Sequence, residues 1–273
     1  MRLSSFAATD VGLQRAGNED SHLRGRTVFA VADGLGGHQG GEVASAMAVE
    51  RLGALDGRSF AEPTQAAAAL ADAIADANRA ILERGVADQG LWGMGTTVTA
   101  AAVVGDPEGR SSAPGAHAPG LGQSSVAPVQ RRHLTGPLVL QLAHVGDSRA
   151  YLLRGDGPPR QLTTDHTVVA ELVRRGRLTP QQAASHPERS ILTRAVGLDP
   201  NVQVEQPAPL GLQPGDQVLL CSDGLTETVA DEQLAEVLAG QAGGDDACQA
   251  LIAAANAAGG PDNTTVVLLR VAG

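Results

Sequence analysis

Apolar residues in this chain gather in short, near-continuous runs, and several of the runs stop at an acid or a glycine. Residues 28–32 read VFAVA, 98–104 VTAAAVV, 138–145 LVLQLAHV, 217–221 QVLLC and 264–271 TTVVLLRV. Runs of this length without helical spacing predict buried strands. Residues 3–9 and 149–154 are further strand candidates. Windows of helical period lie between them. One covers 43–55, with Met47, Val49 and Leu52 apolar. A second runs from Pro63 to about Arg84, where Leu70, Ile74, Ala77 and Ile81 make one stripe. Residues 163–196 are polar and helical, with an apolar stripe at Val168, Val169, Leu172 and Val173, a cap at Gly176 and a capping box at Thr179-Pro180-Gln181-Gln182. Asp231 and Asp245 or Asp246 are expected to cap two later helices, with Gly240 and Gly259 as terminators. No internal boundary interrupts this order. It predicts one α+β layered domain over 1–273 with largely antiparallel sheets.

Residues 105–137 differ from the rest, being rich in Gly, Pro, Ser and Ala without periodicity. Such a segment buries too little apolar surface to offset ordering, so a mobile insert is expected there, carrying a small basic patch at Arg131, Arg132 and His133. Trp92, the single tryptophan, is expected to pack beneath its loop.

Composition narrows the chemistry. Twenty basic against thirty acidic residues leave a net charge of −10, which argues against nucleic acid and anionic membranes as partners. Lysine is absent, which removes P-loop and Schiff-base chemistry. Cys221 and Cys248 are too few for a disulfide scaffold and point to a reducing compartment; Cys221 reads as a packed core thiol. The first residues lack a signal-peptide core, and no apolar run reaches the roughly 18 residues of a membrane helix. A soluble, cytoplasmic protein is expected.

The candidate chemistry lies where apolar runs end. Asp33 follows 28–32 directly, and Gly34, Gly36, Gly37, Gly40 and Gly41 follow it, letting backbone approach a ligand closely. The same grammar recurs at Gly146-Asp147, Asp223-Gly224 and Asp262-Asn263. Four acidic corners at strand ends predict a site for hard cations. Oxygen ligands suit Mg²⁺ or Mn²⁺ better than Zn²⁺, and no zinc spacing is present. Arg15 stands just before Glu19 and Asp20. An exposed charged turn fits that segment equally well, but a guanidinium there also matches two phosphate oxygens, with Glu19 and Asp20 serving the metals. Two ions sharing a carboxylate activate a water, so direct phosphoester hydrolysis is implied. His166 and His186 are candidate ligands, although loop histidines are commonplace. The cysteine phosphate loop and the GxSxG elbow of covalent mechanisms are missing.

Segments 10–20, 30–45, 93–97, 144–151, 163–176, 186–197, 218–224 and 260–265 together resemble, in order, the bacterial form of the PP2C (PPM) metal-dependent protein serine/threonine phosphatases. The resemblance implies a four-layer α-β-β-α sandwich with the metal centre at one end. It implies that Asp33 bridges two Mn²⁺ or Mg²⁺ ions, one completed by the Gly34 carbonyl. Asp223 and Asp262 would bind the first ion. Glu19 would reach the second through water, with Asp20 and Asn263 supporting the cluster. Arg15 would take the substrate phosphate. Asp147, with Asp223, resembles a third and weaker metal site, and 163–196 corresponds to a flap beside the site. The partners implied are phosphorylated proteins, including a serine/threonine kinase, and a monomer is expected.

Two features depart from that pattern. Leu35 stands where some relatives place a histidine proposed as general acid, so the leaving group would take its proton from metal-bound water; His38 is not given that role. The insert at 105–137 is also longer than a tight turn. The rival readings are a non-catalytic binding module on the same fold, a phosphatase of a partner-switching transcription regulator, and a small-molecule phosphatase. The first would be favoured by loss of a metal aspartate, and none is lost.

Overall fold

The computed structural model describes residues 1–36, 40–105, 131–133, 138–155 and 157–273. His38 and most of the 105–137 insert lie outside the described residues. Two antiparallel sheets stack at the centre. The first takes the order β10 (Arg160–Gln161), β9 (Arg149–Leu153), β12 (Gln217–Cys221), β13 (Thr264–Ala272), β1 (Arg2–Asp10), β7 (Arg131–His133). The second runs β11 (Leu210–Leu212), β8 (Leu138–Val145), β6 (Val98–Val104), β3 (Val28–Ala32), β2 (Ser21–Arg24). Helices α1 (Gly40–Gly53) and α2 (Pro63–Ala87) cover the second sheet; α6 (Asp231–Ala239) and α7 (Gly244–Ala257) cover the first.

The layers follow from strand alternation. In β3, Val28, Ala30 and Ala32 face the α1–α2 layer, while Phe29 and Val31 face the opposite sheet. In β12, Val218 and Leu220 point between the sheets, and Leu219 and Cys221 point to α6 and α7. Both faces are buried, which is why these strands read as continuous apolar runs rather than as alternation. The result is a four-layer α-β-β-α sandwich. The helix stripe at Leu70, Ile74, Ala77 and Ile81 is fully packed, and burial pushes the Cys221 thiol up to about 12.

Several local expectations need correction. Residues 131–133, expected within the insert, pair as an edge strand with β1. Trp92 is not packed under its loop; it is 76% exposed, projecting from the end of a short 3₁₀ turn at Gln89–Leu91. The N-caps of α6 and α7 are Ala230 and Gly243. Asp231, Asp245 and Asp246 stand inside the first turns, where acidic charge meets the positive helix end. Within 163–196, only α3 (Val168–Arg174) and α4 (Pro180–Ala184) are helical, and the Thr179–Gln182 capping box is formed. A two-stranded ribbon of β4 (Gly34–Leu35) and β5 (Gly95–Thr96), and a single turn α5 (Asp223–Thr226), complete the fold.

Candidate metal centre

The acidic corners meet at one end of the two sheets. β3 delivers Asp33, and its position is fixed by backbone: Asp33 N–H donates to Thr97 Oγ1 at 3.0 Å, while its carbonyl accepts from Thr97 N–H and Thr96 Oγ1 at 2.8 Å each. β12 delivers Asp223 through Ser222. The Ser222 hydroxyl donates to Asp20 Oδ2 at 2.7 Å and accepts from Thr265 N–H at 2.9 Å, pinning Asp20 between β12 and β13. The β8–β9 turn delivers Asp147. Its neighbours are held too: Ser148 Oγ lies 2.7 Å from Thr97 Oγ1, and the Ser148 carbonyl accepts from Thr99.

The 11–19 loop is tied down by one side chain. Asn263 Oδ1 accepts from Glu19 N–H at 2.8 Å, and Asn263 Nδ2 donates to the Val11 and Gly17 carbonyls at 2.9 Å. Arg15 donates from Nη2 to Asp262 Oδ2 at 2.6 Å and stays half exposed. Two glycines are required by close approach. A Cβ on Gly34 would lie 2.3 Å from the Gly41 carbonyl oxygen, and one on Gly41 would lie 2.2 Å from Glu19 Oε2. Glu19 therefore rests over the N-terminus of α1. The Gly34 backbone faces the same space.

The electrostatics are those of crowded, desolvated acids. Burial, together with Asp20, Asp223 and Asp147, pushes the Asp33 carboxyl well above its ordinary value. Burial and neighbouring acids raise Asp20 to about 7, Asp147 to about 8 and Asp223 to about 6. Glu19 is also raised, by burial first. Asp20 Oδ1 is buried without a hydrogen-bond partner. A cluster of like charges with an orphaned oxygen fits divalent cations, which would replace the shared protons. The tightest three-donor group among the described residues is elsewhere, at His144, His166 and Glu205.

The structure thus brings together Arg15, Glu19, Asp20, Asp33, Gly34, Asp147, Asp223, Asp262 and Asn263. It leaves His186 apart, half-buried and accepting from Glu188 N–H. His166 lies buried against His144 and Glu205. Sequence reading missed the supports: Thr97 and Ser148 behind Asp33 and Asp147, and the Arg149–Asp165 pair, whose three contacts run from 2.7 to 3.1 Å. Serine and threonine at strand ends carry no distinguishing signal. Only their register on neighbouring strands shows the partnership.

A twin-sheet sandwich with helices outside and a cleft of converging carboxyls at one sheet end defines the class: a layered α-β-β-α protein with an acidic cleft. Comparison gives the family. The Protein phosphatase 2C family model matches residues 6–175, and the Stage II sporulation protein E model matches 139–272. The serine/threonine phosphatase stp of Listeria monocytogenes is 34% identical over 273 residues, covering 96% of this chain and 93% of the relative. The Mycobacterium tuberculosis serine/threonine protein phosphatase PstP is 39% identical over 269 residues and 97% of this chain, which spans only 44% of that relative's length. The chain belongs to the protein phosphatase 2C family. The crystal structure of M. tuberculosis PstP/Ppp superposes with a TM-score of 0.82 at 36% identity, covering both chains fully. A PstP catalytic domain in complex with two manganese ions superposes at 0.79, with 35% identity over 100% of this chain and 99% of that one.

Proposed function

We propose that the chain is a metal-dependent protein serine/threonine phosphatase whose 1–273 form one catalytic domain. The observation that carries the reading is the convergence of Asp20, Asp33, Asp147 and Asp223 at one end of the sheets, held there by Ser222, Thr97 and Ser148, with Arg15 on the neighbouring Asp262. When bound, two Mn²⁺ or Mg²⁺ ions would neutralise phosphate charge and lower the pKa of an attacking water. Asp33 sits centrally enough to be shared between them. Asp223, Asp262 and the Gly34 carbonyl would complete one site, Glu19 the other, and Asp147 with Asp223 a third and weaker one. Asp20 and Asn263 support from behind. Arg15 would exchange its Asp262 contact for the phosphate oxygens of phosphoserine or phosphothreonine. Leu35 offers no proton, so the leaving alkoxide takes its proton from solvent in the cleft. Residues 163–196 border the site as a substrate-selecting flap.

Phosphorylated proteins are the substrates in this reading, a serine/threonine kinase among them. The enzyme works as a monomer in the cytoplasm, in keeping with two buried free cysteines. The Stage II sporulation protein E match over 139–272 favours a second reading, the phosphatase of a partner-switching transcription regulator. The presence of Arg15 and of α3 and α4 speaks for the first. The test is phosphate release from a phosphothreonine peptide with Mn²⁺ and with chelator, for wild type and Asp33→Ala. Metal-dependent release that falls by orders of magnitude in the variant is expected. No release with either ion on several phosphopeptides refutes the reading.

A further inference from the structure

We infer that His166 is a positioning residue, which holds the Gly146–Asp147 turn in place as a neutral imidazole carrying its proton on Nε2. The inference rests on the proposed role of Asp147 in the metal centre. Its carrier is a two-point clasp on Gly146. The Gly146 N–H donates to His166 Nδ1 at 3.1 Å, and the His166 backbone N–H donates to the Gly146 carbonyl at 3.0 Å. Gly146 has φ +107°, and a Cβ there would lie 2.6 Å from Thr97 Cγ2. The residue before Asp147 is thus wedged between His166 and Thr97, and the residue after it, Ser148, is bonded to Thr97 and Thr99.

The tautomer follows from the two ends of the ring. An Nδ1 that accepts from a backbone N–H has no proton of its own, so the neutral ring carries it on Nε2. Glu205 Oε2 lies 3.2 Å from Nε2 and accepts that proton in a hydrogen bond. The Gly146 and Glu205 contacts demand the same tautomer; Arg194 Nη1, a donor 3.4 Å from Nε2, is the longer contact and does not reverse it. His144 stacks on the ring, centroids 4.6 Å apart at 15°, and its Nε2 lies 3.5 Å from Glu205 Oε1. Burial pushes His144 down to about 4 and His166 below its usual range, so the stacked rings are neutral together.

The same geometry excludes the obvious alternative, a cation held by His144, His166 and Glu205. A metal on His166 Nε2 would move the ring proton to Nδ1, facing the Gly146 N–H donor-to-donor. The Arg194 guanidinium, 3.4 Å from Nε2, opposes a cation as well.

His166 also closes the flap. Thr193 N–H donates to its carbonyl at 2.7 Å, and Val168 N–H donates to Ile191 O at 2.9 Å, so both ends of the 163–196 segment meet there. Glu205 is fixed in turn by paired backbone bonds with His144 of 2.9 and 3.0 Å. His166 therefore joins the flap base through its backbone, and the Asp147 turn and Glu205 through its ring.

The test compares wild type, His166→Leu and His166→Asn by thermal unfolding, amide exchange, Mn²⁺ binding by calorimetry, and kcat and KM on a phosphothreonine peptide. Asn keeps an oxygen near the Nδ1 position and so keeps the acceptor for Gly146. The Leu variant is expected to speed amide exchange at 145–148, to weaken Mn²⁺ binding and to lower kcat about tenfold, as loss of a partner behind a ligand does. KM should stay within about twofold, because Arg15 is untouched. Asn should restore most of kcat. If Leu does not fold, Glu205→Ala carries the test, since that side chain is one-third exposed; kcat should fall with it too. An unchanged kcat, a change in KM alone, or equal damage from Leu and Asn overturns the inference. A wild type that neither binds Mn²⁺ nor turns over would instead overturn the phosphatase reading itself.

Discussion

Removing a charge from the metal centre should stabilise the metal-free protein, and Asp147→Asn is the cleanest place to see it. Asp147 is only 9% exposed, and burial with Asp223 and Asp165 raises its carboxyl from 3.8 to about 8. A carboxyl whose folded value lies above its unfolded value stabilises the fold at low pH. That contribution is fully present below pH 3.8 and is lost as pH rises through about 8. Each pH unit of the gap corresponds to about 1.4 kcal/mol, so the ceiling at pH 8 is about 5 kcal/mol. Relaxation and water entry around buried charges cut such ceilings severalfold, leaving about 1–2 kcal/mol. For a chain of this size that is a rise in Tm of roughly 2–6 °C. The assay is thermal unfolding in chelator at pH 5, 6, 7 and 8 for both proteins. His144 works in the opposite sense. Its depressed value makes stability fall as pH drops from 6.5 to about 4, but it is common to both proteins and cancels in their difference. The gain from Asn should therefore grow with pH, and adding Mn²⁺ should shrink or reverse it. A gain that is absent at pH 8, or flat from pH 5 to 8, refutes the account of crowded acids.

Three further outcomes are expected. Arg15→Ala should lower kcat/KM on phosphopeptides by about 10–100-fold, the cost of one charge-assisted phosphate contact, with the unfolding temperature unchanged because its Asp262 pair is half exposed. Asn263→Ala removes the acceptor for Glu19 N–H and the donor to Val11 and Gly17, and at about 1 kcal/mol per bond should cost about 2–3 kcal/mol in denaturant unfolding and weaken Mn²⁺ binding in calorimetry. Gly34→Ala should abolish Mn²⁺-dependent turnover, since its Cβ would lie 2.3 Å from the Gly41 carbonyl oxygen; activity within about twofold of wild type would contradict the close packing of β4 on α1.

The large elements were legible because each satisfies one simple condition. A strand between two cores, such as β3 or β12, must be apolar at every position, so it stands out as a run. The acids at the ends of those runs were legible for the same reason: an abrupt change from apolar to charged marks the rim of a sheet. What was not legible had its cause far away in sequence. β2, β10 and β11 are short edge strands of ordinary composition, defined by their neighbours alone. Trp92 looked like core because large aromatics usually are, and no local pattern marks a 3₁₀ turn that points one outward.

The supports of the site follow the same division, and this bears on what a sequence motif can mean. Asp33 and Asp147 are visible as corners, yet neither is held by its own segment. Thr97, in the break between β5 and β6, accepts from the Asp33 N–H and contacts Ser148, so one hydroxyl sets the relative placement of two carboxyls more than a hundred residues apart. His166 does the same from the flap side, through Gly146. The acids repel one another in the metal-free protein, so something must hold them together before any ion does. Backbone-directed bonds from neutral groups serve that purpose, because they position the acid residues without neutralising their carboxylates. A salt bridge to each aspartate would have stabilised the fold more and competed with the cation. Arg15 on Asp262 is the direct exception among the described site acids, and it is a cation that the proposed substrate would draw away.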